Sequence, residues 1–464
     1  MNELTIDGAL QLIKRHKEYF STNETKEVSF RIKQLKRLKW AMKFYEKEVL
    51  DALKKDLGKH PTESYMTEVG YVYKSIDEMV KQISKWAKPS SIKTPFYMMP
   101  AKSYMTYDPY GTVLIIGPFN YPYQLVMEPL VGAIAAGNCA VVKPSELSPT
   151  VAAVITKIIK KAFRPSYIEY VNGSVPTNTA LLSVEFDYIF FTGSPAIGKV
   201  VMEAAAKHLT PVTLELGGKS PVIIDKNSNL KTAARRIVWG KMINAGQTCV
   251  APDYIYVHKD VKEELIHQLI LAFRRSHGTD ASTSNSFGRI INDRHTKRLI
   301  RIIDQEKDNI VYGGQYKEET HYVGPTIINA TDWNSPCMQE ELFGPLLPIM
   351  TYEDLDDVIE EINSFHKPLA LYVFSNDKKI QQKVIHETSS GGVCINDVVS
   401  HVANPNLPFG GVGNSGLGAY HAKESFFTFS HRKSVFKNLG SLSSILSEPP
   451  YNKLQDTIVR LFFR

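Results

Sequence analysis

The sequence predicts an α/β protein organised as two lobes. Short β-rich runs at residues 112–116, 140–142, 188–191, 222–224 and 254–257 alternate with helical ones at 150–163, 196–208, 230–244 and 261–275. Strand–helix alternation with short connections is the pattern of layers around mostly parallel sheets. A second set of the same texture runs from Tyr254 to about Ile395, which two lobes accommodate better than one enormous sheet. Length agrees, because 464 residues at about 150 per domain allow roughly three domains.

The elements follow in order. Apolar residues fall at Ile32, Leu35, Leu38, Met42, Tyr45, Val49 and Leu53, the spacing of one amphipathic helix with lysines and arginines opposite. That basic face reads as solvated surface, since a net charge of +7 over 464 residues is mild and by itself too small to argue for nucleic acid. Residues 88–105 hold three prolines and little helical pattern, so they read as an extended connector or edge hairpin. Asn229 can cap the helix that follows it, and Gly246 can stop that helix.

Composition closes off several classes. No apolar run approaches the roughly 20 residues of a membrane helix, and the amino terminus has no apolar core before a cleavage site. The end of the tail, residues 454–463, is apolar but too short to span. The four cysteines, Cys139, Cys249, Cys337 and Cys394, form neither a metal hook nor a disulfide scaffold, so no metal is expected and a reducing cytoplasm is.

Cys249 lies in Gln247-Thr248-Cys249, a loop between the helix over 230–244 and the strand opening at Tyr254. A cysteine there is either a small buried hydrophobe or a nucleophile. Glu215 shares a strand face with Thr213 and ends the strand at Gly217-Gly218, as a solvated glutamate or a general base would. Asn120, between Pro118 and Pro122, is a turn residue or an oxyanion donor.

Two glycine-rich strings compete for cofactor phosphates. Residues 411–416 spell G-x-G-x-x-G but lack a strand before and a helix after, so the string is set aside. Thr192, Gly193, Ser194 and Gly198 follow a strand and open a helix, which puts orphan N–H groups and the helix dipole toward a pyrophosphate. Lys143 and Glu146, just past a strand, stand where ribose hydroxyls are held in open α/β sheets. Glu340 and Glu341 precede Leu342-Phe343-Gly344-Pro345.

Together, IGPFNYP, GAIAAGN, VVKPSELS, FFTGS with Gly198, VTLELGGKSP, NAGQTCVAPDY, QEELFGP and NLPFGGVGNSG occur in one order along one chain. From about Lys26 to Phe436 the chain closely resembles the aldehyde dehydrogenase superfamily, within it the short class 3 type. The resemblance implies two Rossmann-like α/β lobes plus a small β-hairpin oligomerisation extension. It implies a cofactor-binding domain over residues 1–86 and 108–216 and a catalytic domain over 217–409. Residues 87–107 and 424–440 would bridge subunits, and 441–464 would be a carboxy-terminal tail. It makes Cys249 the nucleophile, Glu215 the base and Asn120 the oxyanion donor. Lys143 and Glu146 would touch the adenosine ribose, Thr192, Gly193, Ser194 and Gly198 the phosphates, and Glu341 with Phe343 the nicotinamide ribose side.

The reaction implied is oxidation of medium-chain aliphatic or aromatic aldehydes to carboxylic acids with NAD(P), by a homodimer. A carboxylate at Glu146 would repel a 2′-phosphate, so NAD is expected to be preferred and NADP tolerated. Tyr65, Tyr121, Tyr123 and His401 are expected to line the substrate entrance. Three alternatives stand beside this reading. One is an acylating or reductive relative that passes the thioester to coenzyme A or phosphate. Another is a catalytically silent structural homologue, and the third a Cys-His hydrolase. Retention of Glu215 favours water as acceptor, and Cys249, Glu215 and Asn120 are all present.

Overall fold

The computed structural model describes residues 3–330, 332–440 and 448–463; residues 441–447 and 464 of the expected tail lie outside them. Two large sheets organise the chain. The first has six strands in the order Gly416–Leu417, Val212–Glu215, Tyr188–Thr192, Thr112–Ile116, Cys139–Lys143 and Ile168–Tyr170, all parallel except the antiparallel edge Gly416–Leu417. The second has seven strands in the order Ile310–Tyr312, Thr326–Asn329, Leu346–Tyr352, Tyr254–His258, Pro221–Ile224, Ala370–Phe374 and Gly392–Ile395, with only the first antiparallel. A small antiparallel sheet joins Ser90–Ile92, Ala101–Pro109 and Ser430–Asn438.

The central strands are apolar throughout because helices cover both faces of a parallel sheet. Every residue of Thr112–Ile116, Cys139–Lys143 and Tyr188–Thr192 is buried. So is every residue of the helix Gln124–Ala136, which runs beneath the first sheet.

Two expectations change. The strand Pro221–Ile224 pairs with Tyr254–His258 and Ala370–Phe374, so it starts the second sheet instead of ending the first series. The single helix over residues 32–53 is two, Val28–Phe44 and Glu46–Leu57, divided at Tyr45 (φ −103°, ψ 11°). Both pieces follow the helix Pro149–Ala162, and the first also lies along Gly70–Trp86 and Gln124–Ala136. The glycine string of residues 411–416, set aside as a phosphate turn, has a structural place. It ends in the short edge strand that hydrogen-bonds the strand of Glu215, with Gly416 opposite Glu215 itself.

After the second sheet the chain returns to the first, and the helix Ala422–Thr428 packs on Gln124–Ala136. His421 heads this helix, 1% exposed and stacked on Phe409 with centroids 5.3 Å apart. Its Nδ1 lies 3.3 Å from the Tyr71 hydroxyl. Burial pulls its pKa from 6.5 to about 3. Among the described residues no helix is long and apolar enough to cross a membrane.

The His421 environment predicts a pH-dependent stability. The unfolded imidazole takes up a proton below 6.5 and the folded one does not, so this contribution is complete above that value and declines as pH falls. Between pH 7.5 and 5.5 His421 should remove about 1.4 kcal/mol from the unfolding free energy. Urea unfolding at both pH values should show His421→Gln losing that much less on acidification than wild type; equal losses would contradict the assignment.

Candidate active site

The loop carrying Cys249 is built by an unusual backbone. The Asn229 side chain accepts the Thr232 N–H (3.0 Å) and caps the helix Leu230–Met242. This helix ends two residues before Asn244, the expected terminus, because Asn244 and Ala245 take left-handed φ values of 52° and 51°. Gly246 follows at φ 78°, and a side chain there would collide with the backbone of Gly344. Left-handed alanine is unfavourable by about 1–2 kcal/mol, so the surroundings must hold it.

They do so with hydrogen bonds. Glu63 Oε1 accepts the Asn244 N–H (2.8 Å). The Gln247 side-chain amide donates to Asn244 O (3.0 Å) and Arg289 O (2.9 Å) and accepts the Ile291 N–H (3.0 Å). The Tyr372 hydroxyl donates to Val250 O. Cys249 therefore sits half-buried on a fixed loop.

The first lobe brings Asn120 to the same loop. Its side-chain N–H donates to Gln247 O (3.0 Å), and the Asn244 amide donates to Asn120 O (2.7 Å) and to Gln247 O (3.1 Å). A fully buried ion pair, Lys59 Nζ to Glu68 Oε1 at 2.5 Å, fixes the turn from behind. The second oxygen of Glu68 accepts the N–H groups of Tyr123 (2.9 Å) and Gln124 (3.2 Å). The Lys59 ammonium also lies 4.2 Å from the Tyr121 ring centroid, and the Tyr121 hydroxyl meets Thr248 Oγ1 at 2.7 Å.

The remaining groups come from carboxyl ends of the first sheet, where open α/β sheets bind ligands. Glu215 closes its strand, buried, with neither carboxylate oxygen hydrogen-bonded, and burial drives its pKa well above the ordinary range. The Gly193 N–H donates to Glu215 O (3.0 Å), tying the expected phosphate turn to the base. Ser194 caps the helix Pro195–Ala206 by accepting the Ile197 N–H. Gly198 lets that helix lie against Leu216, where a Cβ would press to 2.6 Å. Thr192 Oγ1 is buried and has no partner among the described residues. A vacant hydroxyl beside a capped helix start suits an anionic dinucleotide. Lys143, buried at its strand end, is paired with Glu146 at 2.6 Å.

Glu341 reaches the site from the second lobe. Its carboxylate lies so close to Gly217 that a side chain there would clash, and it accepts the Gly218 N–H. Burial, with Asp253 nearby, pushes its pKa up to about 8. Phe343 holds φ at 45° and sets its ring edge-on to Phe119, centroids 5.7 Å apart. Burial first, then the charges of Glu341 and Glu215, push the Cys249 thiol up to about 12. Both carboxylates thus act on the sulfur, and the site needs bound partners or proton transfer to form a thiolate.

The structure gathers Cys249, Asn120, Glu215, Glu341 and Tyr121 at one place. His401 is one residue removed: its Nδ1 contacts Cys394 Sγ (3.1 Å) and its ring faces Tyr372. Tyr123 is wholly buried, and Tyr65 is exposed with its ring on Tyr73. Sequence reasoning overlooked Lys59, Glu63, Glu68 and Asn244, which orient the reacting groups. Of these only Asn244 carried a local signal, since asparagine is among the residues that tolerate left-handed backbone.

Residues 3–435 match the aldehyde dehydrogenase family. The chain is 50% identical over 448 residues to the 4,4'-diaponeurosporen-aldehyde dehydrogenase of Staphylococcus aureus, covering 97% of each chain. It is 47% identical over 436 residues to the rat (Rattus norvegicus) dimeric NADP-preferring aldehyde dehydrogenase, covering 94% of this chain and 95% of the relative. The substrate-bound structure of Staphylococcus aureus AldH superposes with a TM-score of 0.97 at 49% identity, over 100% of both chains.

The buried pair behind Asn120 yields a prediction. Lys59→Met leaves Glu68 charged and unpaired, which should cost about 3–5 kcal/mol of stability. Urea unfolding measures the loss, and a change below about 1 kcal/mol would show that the pair does not brace this turn.

Proposed function

The chain belongs to the aldehyde dehydrogenase family and oxidises aldehydes to carboxylic acids with NAD(P), and we propose that it does so through Cys249, Asn120 and Glu215. The observation that carries this reading is the convergence on one loop of a half-buried thiol, a side-chain amide bonded two residues before it and two buried carboxylates.

The Cys249 sulfur, as thiolate, adds to the aldehyde carbon, and negative charge gathers on the former carbonyl oxygen. The Asn120 amide and the Cys249 backbone N–H stabilise that oxygen, each donor worth about 3–4 kcal/mol in comparable sites. Bound NAD(P) supplies the hydride acceptor. Loss of hydride from the carbon leaves a thioester on Cys249. Glu215, ionised and made more basic by its dry surroundings, takes the proton of the attacking water, and the C–S bond breaks to release the acid. Thr192, Gly193, Ser194 and Gly198 hold the phosphates in this scheme, Lys143 and Glu146 the adenosine ribose, and Glu341 with Phe343 the nicotinamide side. Medium-chain aliphatic or aromatic aldehydes are the substrates, with Tyr65, Tyr121 and His401 along the entrance.

We assign residues 1–86 and 108–216 to the cofactor-binding domain and 217–409 to the catalytic domain. Residues 87–107 and 424–440 are bridging segments. A homodimer is supported by the partly exposed small sheet, Ser90–Ile92, Ala101–Pro109 and Ser430–Asn438, and by the rat relative, which is named dimeric. Four free cysteines support a cytoplasmic location.

NAD preference rests on the Lys143–Glu146 pair, which already satisfies the lysine's charge and sets a carboxylate against a 2′-phosphate. The rat relative is named NADP-preferring, so the two cofactors need direct comparison.

Absorbance at the reduced-nicotinamide band, followed with aldehydes from acetaldehyde to decanal and benzaldehyde, tests the mechanism. Wild type should form NADH and acid, Cys249→Ala neither, and Glu215→Gln about one equivalent of NADH before stalling. Because burial and two carboxylates raise the Cys249 pKa, the wild-type rate should climb from pH 7 to 9; equal rates for wild type and Cys249→Ala would sink the scheme.

In the same assay kcat/KM should be higher with NAD than with NADP, and Glu146→Gln should narrow the ratio. A strong NADP preference in wild type would refute the assignment of Glu146.

A further inference from the structure

The segment ahead of the helix Gly70–Trp86 has a feature that the catalytic scheme leaves unused. The short helix Pro61–Ser64 runs into a π turn, Tyr65–Val69, closed by the Gly70 N–H on Tyr65 O. Such turns widen the helical repeat to i→i+5 and recur at functional sites. Here the turn governs two carboxylates. On a regular helix the five-residue step from Glu63 to Glu68 would set them about 140° apart around the axis. The wider turn reduces that angle, and the ammonium of Lys59 acts on both.

The same segment touches both lobes. Glu68 accepts the N–H groups of Tyr123 and Gln124, just past the turn of Asn120. Glu63 Oε1 accepts the Asn244 N–H of the nucleophile loop at 2.8 Å. Upstream, Leu57 O accepts the Arg289 N–H (2.7 Å), and Arg289 O receives the Gln247 side-chain amide (2.9 Å). Gly58 takes φ 67° at this point, where a Cβ would press to 2.8 Å on the Arg289 side chain. Residues 57–68 therefore form a strap, with fixed points on either side of the Asn120 amide and the Cys249 thiol.

Glu63 holds the strained part of that arrangement. Asn244 and Ala245 keep their left-handed φ values of 52° and 51° just ahead of Gly246 and Cys249. The other groups that bond Asn244 are Asn120 and Gln247, which belong to the catalytic centre itself. Glu63 is the group that grips the turn from outside it.

We propose that Glu63 is a positioning residue for the nucleophile: by taking the Asn244 N–H it holds the left-handed turn in the register that sets the Cys249 thiol against the Asn120 amide, with the strap of residues 57–68 fixing the spacing between the lobes. The proposal rests on Cys249 as nucleophile and deepens that reading. Glu63 acts through Asn244 and not on the aldehyde. What it supplies is a hydrogen-bond acceptor at the right reach, so glutamine can replace it and alanine cannot.

The test compares Glu63→Ala and Glu63→Gln with wild type in the pre-steady-state formation of NADH, with NAD affinity measured by fluorescence titration. Glu63→Ala should slow the first turnover at least about tenfold while the Kd and KM of NAD stay within about twofold, since reacting atoms are displaced and the cofactor is not. Glu63→Gln should remain within about threefold of wild type, because the acceptor is kept. Glycine adopts left-handed backbone without steric cost, so adding Ala245→Gly to Glu63→Ala should recover at least about threefold of the lost rate. Equal losses for glutamine and alanine, or no recovery with Ala245→Gly, would overturn the proposal. If Glu63→Ala does not fold, Glu63→Asp, one methylene short of Asn244, gives the same comparison with a loss of at least about threefold expected.

The rate at which iodoacetamide alkylates Cys249, followed by mass spectrometry of the Cys249 peptide, gives a readout independent of turnover. It should shift at least about threefold in Glu63→Ala and return toward wild type with Ala245→Gly. An unchanged alkylation rate in folded Glu63→Ala overturns the proposal. Aldehyde oxidation that survives in Cys249→Ala condemns the catalytic scheme, while alkylation still decides whether Glu63 sets the thiol.

Discussion

Three side-chain or backbone amides join the two lobes at the reacting atoms. Asn120 comes from the end of a strand in the six-stranded sheet, and Gln247 and Asn244 from the turn that leads into the seven-stranded one. Each donates or accepts within 2.7–3.1 Å, so neither Asn120 nor the Cys249 loop can shift alone. Buried amides left unpaired would each cost about 1–3 kcal/mol, and this resists separation of the lobes locally. The left-handed Asn244 and Ala245 persist because these bonds, and the contact of Gly246 with Gly344, leave them no alternative.

A dry interior gives the site its electrostatic character. Glu215 has no hydrogen-bond partner, Glu341 has the Gly218 N–H, and both disfavour ionisation of Cys249. Lys241, on the same helix as Trp239, is wholly buried with an unpartnered ammonium, and burial lowers its pKa to about 8. Asp253 and Glu341 oppose that fall. Such groups are expensive in structural terms and are found where proton transfer is part of the task. Lys59 and Glu68, by contrast, are a satisfied pair: their charges cancel and their spare capacity is spent on the amides of Tyr123 and Gln124.

The carboxyl ends of the first sheet serve two purposes with one set of residues. The Gly193 N–H that bonds Glu215 O belongs to the turn that opens the Pro195–Ala206 helix, so under the proposed roles the phosphate turn and the base are mechanically linked. Behind them, Gly416 and Leu417 add an antiparallel strand to Val212–Glu215. The glycines there permit backbone approaches that any side chain would block: a Cβ on Gly411 would strike Ser415, and one on Gly416 would strike Leu214 O.

Much of this was legible in the primary sequence, where local chemistry is sufficient. Alternating apolar runs located the central strands, Asn229 marked a helix start, and the strand–Gly193–helix order at residues 188–206 is found in the structure. The ordered motifs also determined the family, and with it the roles expected of Cys249, Glu215 and Asn120. What tertiary structure alone decided depends on which surfaces meet. By its own texture the apolar run of Pro221–Ile224 reads alike in either lobe; the family resemblance set it within 217–409, and its pairing with Tyr254–His258 puts it in the second sheet. Tyr45 divides a helix whose halves share the neighbour Pro149–Ala162, while the first half packs also on Gly70–Trp86 and Gln124–Ala136. Lys59 and Glu68 look like surface charges until the fold buries both, since a sequence records charge but not the loss of water around it.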